Sequence, residues 1–184
     1  MVIDFNNYVS TIEKISYDKD EKEFMLNLQN KVIDFDDFQE AFFKVFNKKP
    51  TCSVDGLLKI GEEWYFIEFK NGKIDRKQKK NISEKVGHSL ISFLLNVDEK
   101  INFAQNKVSL ILVYNEEKCR SSGQSLKKDE YQYSPERNMT FEKLTGNKRV
   151  LFQLGRYEAI YFKHVYTYTK EEFTDFIMRN DIPL

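Results

Sequence analysis

Cysteine, histidine and proline are scarce in this chain of 184 residues, which holds 2 Cys, 2 His and 3 Pro. Cys52 and Cys119 make neither a disulfide framework nor a zinc-ligand spacing, and two isolated cysteines point to a reducing compartment. No Gly/Ser/Pro-rich linker and no internal repeat divides the chain, so residues 1–184 read as a single domain. Net charge is also missing, with 29 basic and 29 acidic residues. That balance excludes a generic polyanion coat, and contact with nucleic acid has to come from a local patch. No apolar run approaches the ~20 residues of a membrane span. The opening MVIDFNNYVS lacks the basic start and apolar core of a secretory signal. The expectation is a cytoplasmic protein without membrane contact. There is no P-loop, no dinucleotide fingerprint, and no Ser/His/Asp or Cys/His arrangement at readable spacing.

Aromatic residues are plentiful at 15%, mostly Phe and Tyr, which favours an ordered core over disorder. A chain of this length buries roughly 70% of the surface its unfolded form exposes. Residues 5–33 read as containing helix, with Tyr8, Ile12 and Ile15 near helical spacing and Phe24, Leu28 and Val32 four apart. Asp36 is placed to cap a helix running to about Asn47, with Phe38, Phe42, Val45 and Phe46 on its buried stripe, and Pro50 ends it. A long helix over about 75–96 carries Ile82, Val86, Leu90, Phe93, Leu94 and Val97 on one face. Residues 107–114, KVSLILVY, suit a strand covered on both sides. Residues 115–140 are polar and read as a loop or flap. Strands are expected at 150–154 and 159–168, and Thr169 with Glu172 forms a capping box opening a helix with Phe173, Phe176 and Ile177 inward.

The segment from Thr51 to Asn71, TCSVDGLLKI-GE-EWYFIEFKN, carries the chemistry. Gly61-Glu62 suits a two-residue hairpin turn of the Gly-first kind. Ile60 then pairs with Glu63, and counting outward sets Asp55 opposite Glu68, with β-carbons about 4.5–5.5 Å apart on one face. Lys70, two residues on, projects from that face. Two opposed carboxylates repel, and a hard divalent cation reverses the sign of that term. The Asp55→Asn substitution is therefore expected to raise stability in metal-free buffer.

Asp55, twelve residues, then Glu68-Phe69-Lys70 resembles the signature of the PD-(D/E)XK nucleases, whose fold is the restriction-endonuclease-like sandwich. FIEFKNGKID, a lysine-rich helix and the Ser89-Leu90 dipeptide also resemble a set of uncharacterised bacterial proteins with an EFKNGK motif. The superfamily's helix–strand–strand–strand–helix–strand order is similar to what residues 36–114 are expected to form. On this reading the fold is an α/β sandwich, a mixed sheet flanked by helices, with 141–184 as a C-terminal extension. The resemblance implies a magnesium- or manganese-dependent DNA endonuclease. Asp55, Glu68 and the main-chain carbonyl of Phe69 would hold the ion. Lys70 would orient or deprotonate the attacking water. Val54 departs from the family by standing where its name has proline. The family's acidic residue from the first helix has Glu40 as its candidate, although Glu40 projects away from the Phe38/Phe42 stripe.

The helix after Lys70 adds Lys73, Arg76, Lys77, Lys79, Lys80 and Lys85 against Asp75 and Glu84. This basic patch would bind phosphates in a salt-dependent way, with Lys73, Lys77, Gln78 and Lys85 as candidate substrate contacts. The same lysines also suit a plain solvated helix face. His88 and His164 read as ordinary histidines, and Tyr157, Tyr161, Tyr166 and Tyr168 as core or cross-strand aromatics before base-stacking platforms. Cutting both strands of a duplex would favour a twofold homodimer. A second reading, of a different class, is a protein-binding accessory or immunity-like protein that keeps the fold with weak or no catalysis.

Overall fold

The computed structural model describes residues 2–121 and 150–184. A 3-10 turn at Phe5–Tyr8 leads into β1 (Val9–Thr11), a single-turn helix α1 (Ile12–Ile15), a ribbon of β2 (Tyr17–Asp18) and β3 (Glu23–Phe24), then β4 (Lys31–Asp34) and α2 (Phe35–Val45). The hairpin β5 (Gly56–Ile60) and β6 (Glu63–Lys70) follows, then α3 (Arg76–Val97), α4 (Ile101–Lys107), β7 (Val108–Tyr114) and α5 (Glu116–Ser121). After residue 150 come a 3-10 turn at Leu154–Tyr157, β8 (Val165–Thr169) and α6 (Lys170–Arg179).

Among the described residues, the central sheet has six strands in the order β1-β4-β5-β6-β7-β8. Pairing is antiparallel from β1 to β6 and parallel from β6 through β8. The change of direction follows from the connections: a two-residue turn can only return a strand antiparallel, whereas a crossover helix such as α3 permits a parallel neighbour. All seven residues of β7 are buried, as the continuous apolar run requires of a strand covered on both faces. Strand alternation sorts the core into two layers. Leu57, Phe66, Leu110 and Leu112 pack against Phe35, Phe38 and Phe42 of α2 and Ile82, Val86, Leu90 and Phe93 of α3. Leu58, Ile67, Phe69, Ile111 and Val113 pack against Phe173 and Ile177 of α6 and Ile12 of α1.

Several expectations need correction. The helix expected within residues 5–33 is confined to the single turn α1 at Ile12–Ile15 and the 3-10 turn at Phe5–Tyr8, and the rest forms four short strands, because pairing of β4 with β1 and β5 overrides a weak apolar period. Asp34, not Asp36, caps α2, accepting from the Asp37 N–H at 3.1 Å. The buried stripe of α2 is Phe35, Phe38, Gln39 and Phe42, and Val45 and Phe46 are exposed. Residues 36–114 contain two sheet strands between α2 and α3, not three. The further antiparallel neighbour, β4, precedes α2. Val150 to Leu154 forms no strand, and only the end of 159–168 joins the sheet, as β8. Residues 150–184 are less an extension than part of the sandwich, since β8 extends the sheet beside β7 and α6 covers its second face. Of the expected loop at 115–140, Glu116–Ser121 is helical and 122–140 lies outside the described residues. Two local features match their signals: the Thr169/Glu172 capping box is complete, and Asp75 caps α3 by accepting from the Gln78 N–H.

Candidate active site

Gly61 sits at φ 57°, a left-handed value that glycine adopts without steric cost, and the hairpin runs Ile60↔Glu63 out to Gly56↔Ile67. One step further this register sets Asp55 against Glu68. The Asp55 carboxylate is held there by main chain: its Oδ2 accepts the Phe69 N–H at 2.6 Å, while its own carbonyl accepts the Phe35 N–H at 3.2 Å. A strand residue presents its N–H and C=O on the same edge, so the Phe69 carbonyl also faces the Asp55 side. The Phe69 ring points the other way and meets Phe173 edge-on at 5.8 Å.

Glu68 is wholly buried on the α2/α3 face, and its carboxylate is met by two ammonium groups. Lys70 Nζ lies 2.7 Å from Oε1. Lys85, reaching in from α3, donates to Glu68 Oε2 at 3.0 Å and to Asp55 Oδ1 at 2.9 Å. Burial, then the neighbouring Asp55 charge, lifts the Glu68 carboxyl from 4.5 to about 7, against the pull of both lysines. Burial works against the Lys85 ammonium, but Asp55 and Glu68 outweigh it and hold its pKa above the ordinary lysine value. Lys85 is therefore a charged partner throughout the neutral range.

Asp55 and Lys70 border a cleft of about 640 Å³ that is also lined by Asp34, Asp36, Asp37, Phe69, Lys73, Gln78 and residues 14–21, while Glu68 and Lys85 lie behind that lining. Asp36 accepts a short hydrogen bond from the Ser53 hydroxyl. Desolvation in the cleft raises its carboxyl despite that bond, and the charge of Asp55 adds to the shift. Among the described residues, two buried side-chain oxygens lack a hydrogen bond, Glu68 Oε1 and Gln78 Oε1. The first lies in ion-pair reach of both ammonium groups, 2.7 Å from Lys70 and 3.0 Å from Lys85. Both belong to this site.

Of the residues singled out by sequence, Asp55, Glu68, Lys70 and Lys85 converge, and Lys73 and Gln78 line the same cleft. Lys77 is exposed on α3 and stands apart from the cleft lining. Glu40 lines a separate hollow with Tyr8, Lys44 and Pro50. The acidic residue that α2 brings to the site is Asp36 in its first turn, which became available because Asp34 took the capping role. The wall at residues 14–21 had no signal in the sequence. The Cys52 thiol and exposed His88 stand 3.4 Å apart, a proximity that a separation of 36 residues hides. His164 faces Glu158 at 3.5 Å on the surface.

The oxygen donors suit a hard cation. The Asp55 and Glu68 carboxylates converge on one point, occupied by Lys85 Nζ, and the Phe69 carbonyl lies on the strand edge facing Asp55. Among the described residues no three His, Cys, Asp or Glu side chains converge as a metal-binding group, so the remaining ligands would be water and substrate, as is usual for magnesium. Among the described residues no helix is long and apolar enough to cross a membrane. The chain matches no family model, no curated protein and no solved structure.

Proposed function

We propose that this protein hydrolyses phosphodiester bonds in nucleic acid, with magnesium or manganese held by Asp55, Glu68 and the Phe69 carbonyl, as a DNA endonuclease of PD-(D/E)XK type. The observation that carries this reading is that a single positively charged atom, Lys85 Nζ, touches both carboxylates, at 2.9 and 3.0 Å. Two side chains that converge on one cation in this way can converge on another. Bound there, a divalent ion would acidify its water and neutralise charge developing on the phosphate.

The chain's own residues would then divide the work. Glu68 is fixed by burial, and Asp55 by the Phe69 N–H. Lys70 keeps part of its side chain exposed to the cleft, where it can orient the attacking water and stabilise the developing oxyanion. Lys73 and Gln78 border the same cleft and would meet flanking phosphates. The exposed lysines of α3 extend that electrostatic track. The sheet supports the reading in part: β5, β6, α3 and β7 follow the superfamily's order, whereas β4 departs from it by preceding α2.

One observation favours a second reading, a protein-binding accessory protein with a silent site. Once Glu68 is ionised, Asp55, Glu68, Lys70 and Lys85 balance as two anions and two cations, so the cluster is then electrically complete by itself. Supercoiled plasmid and end-labelled DNA and RNA, incubated with millimolar magnesium or manganese, separate the two. A nuclease nicks or shortens one of them, and Lys70→Ala lowers the rate by about 10²–10⁴-fold at a temperature where circular dichroism shows the variant still folded. Absence of cleavage on every substrate, with a partner protein copurifying regardless of divalent ions, sinks the hydrolase in favour of the accessory role.

A further inference from the structure

We infer that Lys85 is a built-in stand-in for the divalent cation: its ammonium holds Asp55 and Glu68 together, yields its place when an ion binds, and swings along α3 into the cleft to meet the substrate phosphate. The inference rests on the metal-dependent reading above and adds to it how the site is switched on.

Position supplies the first argument. Lys85 Nζ bridges Asp55 and Glu68, which is where an ion shared by the two carboxylates must sit. Among the described residues Lys70 pairs with Glu68 and not with Asp55, so it can stay while an ion binds, and Lys85 cannot. Charge supplies the second. A divalent ion added to a quartet of two carboxylates and two ammoniums leaves two net positive charges within a few ångströms, an arrangement that repels strongly away from bulk water. Removing one ammonium from the shared point relieves that repulsion.

The route is the third argument. The α3 backbone is anchored by Ile82, Val86 and Leu90 in the core and by the Ser89 hydroxyl, which accepts the Val54 N–H at 2.9 Å. Only the side chain of Lys85 is free to move, and its four-carbon stem swings easily. Helical side chains lean toward the N-terminus, and Gln78 lies two turns in that direction. Its Oε1 is buried at the cleft with no hydrogen-bond partner. A displaced ammonium leaning that way would stand beside the substrate path.

Calorimetric titration of manganese into the wild-type protein and Lys85→Gln tests this, with thermal melts in parallel. The variant should bind manganese about tenfold tighter or better, and manganese should raise its melting temperature by more than it raises that of the wild type. Lysine acetylation of the wild-type protein, read by peptide mass spectrometry, should modify Lys85 several-fold faster with magnesium than without, while exposed Lys59 serves as the control. Acetylation decides alone if Lys85→Gln does not fold. Equal or weaker manganese binding by the variant overturns the role of Lys85 and leaves the metal site standing. So does ion binding by the wild type with no change in Lys85 labelling. Absence of heat in both proteins removes the metal reading and this inference together.

Discussion

The Phe69 N–H donates to Asp55 Oδ2 at 2.6 Å, so a side chain continues the β5–β6 ladder one step past its last backbone pair. The same carboxylate uses its other oxygen for Lys85. Asp55 is thus a fastener between strand and helix as well as a candidate ligand. Sequence alone suggested that relieving Asp55–Glu68 repulsion would stabilise the fold; the ammonium between them reverses the expected sign. Asp55→Asn keeps an oxygen for Phe69 but loses the ion pair, and should destabilise the metal-free protein by about 1.5–3 kcal/mol. Urea unfolding followed by Trp64 fluorescence measures it, and a gain in stability would contradict the bridged geometry.

Stability should also depend on pH through Glu68. Burial and the Asp55 charge raise this carboxyl from 4.5 to about 7 in the folded protein. Between those values the folded state binds more protons than the unfolded state. The contribution is therefore fully present below about pH 4.5 and is lost as pH rises through about 7. Asp34 and Asp36, both raised with burial as the leading cause, act in the same direction. Melting temperatures of wild type and Glu68→Gln across this window isolate the Glu68 share: the wild-type curve should fall more steeply with pH than that of the variant. Parallel curves would show that Glu68 does not titrate there.

Asp36, not Glu40, should tune the ion. Asp36 lines the cleft and feels the charge of Asp55, whereas Glu40 faces a different hollow. Asp36→Asn should weaken manganese binding by about tenfold, and Glu40→Gln should leave it unchanged. Calorimetric titration of both variants gives the comparison, and equal effects would remove Asp36 from the site.

The layer under α3 should be the costliest place to cut. Phe93 is fully buried and packs against Trp64 at 5.3 Å and Phe66 at 5.5 Å. Phe93→Ala should cost about 3–5 kcal/mol. Ile91, on the same helix but largely exposed, should change stability by no more than about 0.5 kcal/mol when replaced by alanine. Denaturant midpoints of the two variants test the contrast.

What the sequence determined by itself is local. Gly61-Glu62 is a turn whose geometry dictates its neighbours, and every pair out to Gly56 and Ile67 follows by counting. The same holds for the α3 stripe, the apolar run of β7 and the Thr169 cap, each legible within a short window of sequence. Distant partners were illegible. Strands β1 and β4 exist because β4 finds β1 and β5, a choice that no short window encodes. The ammonium between Asp55 and Glu68 comes from a residue 30 positions after Asp55, and Asp36 entered the site because Asp34 took the cap. Only tertiary packing decided these, because electrostatics acts through space and a chain folded into layers brings together charges that its sequence keeps far apart.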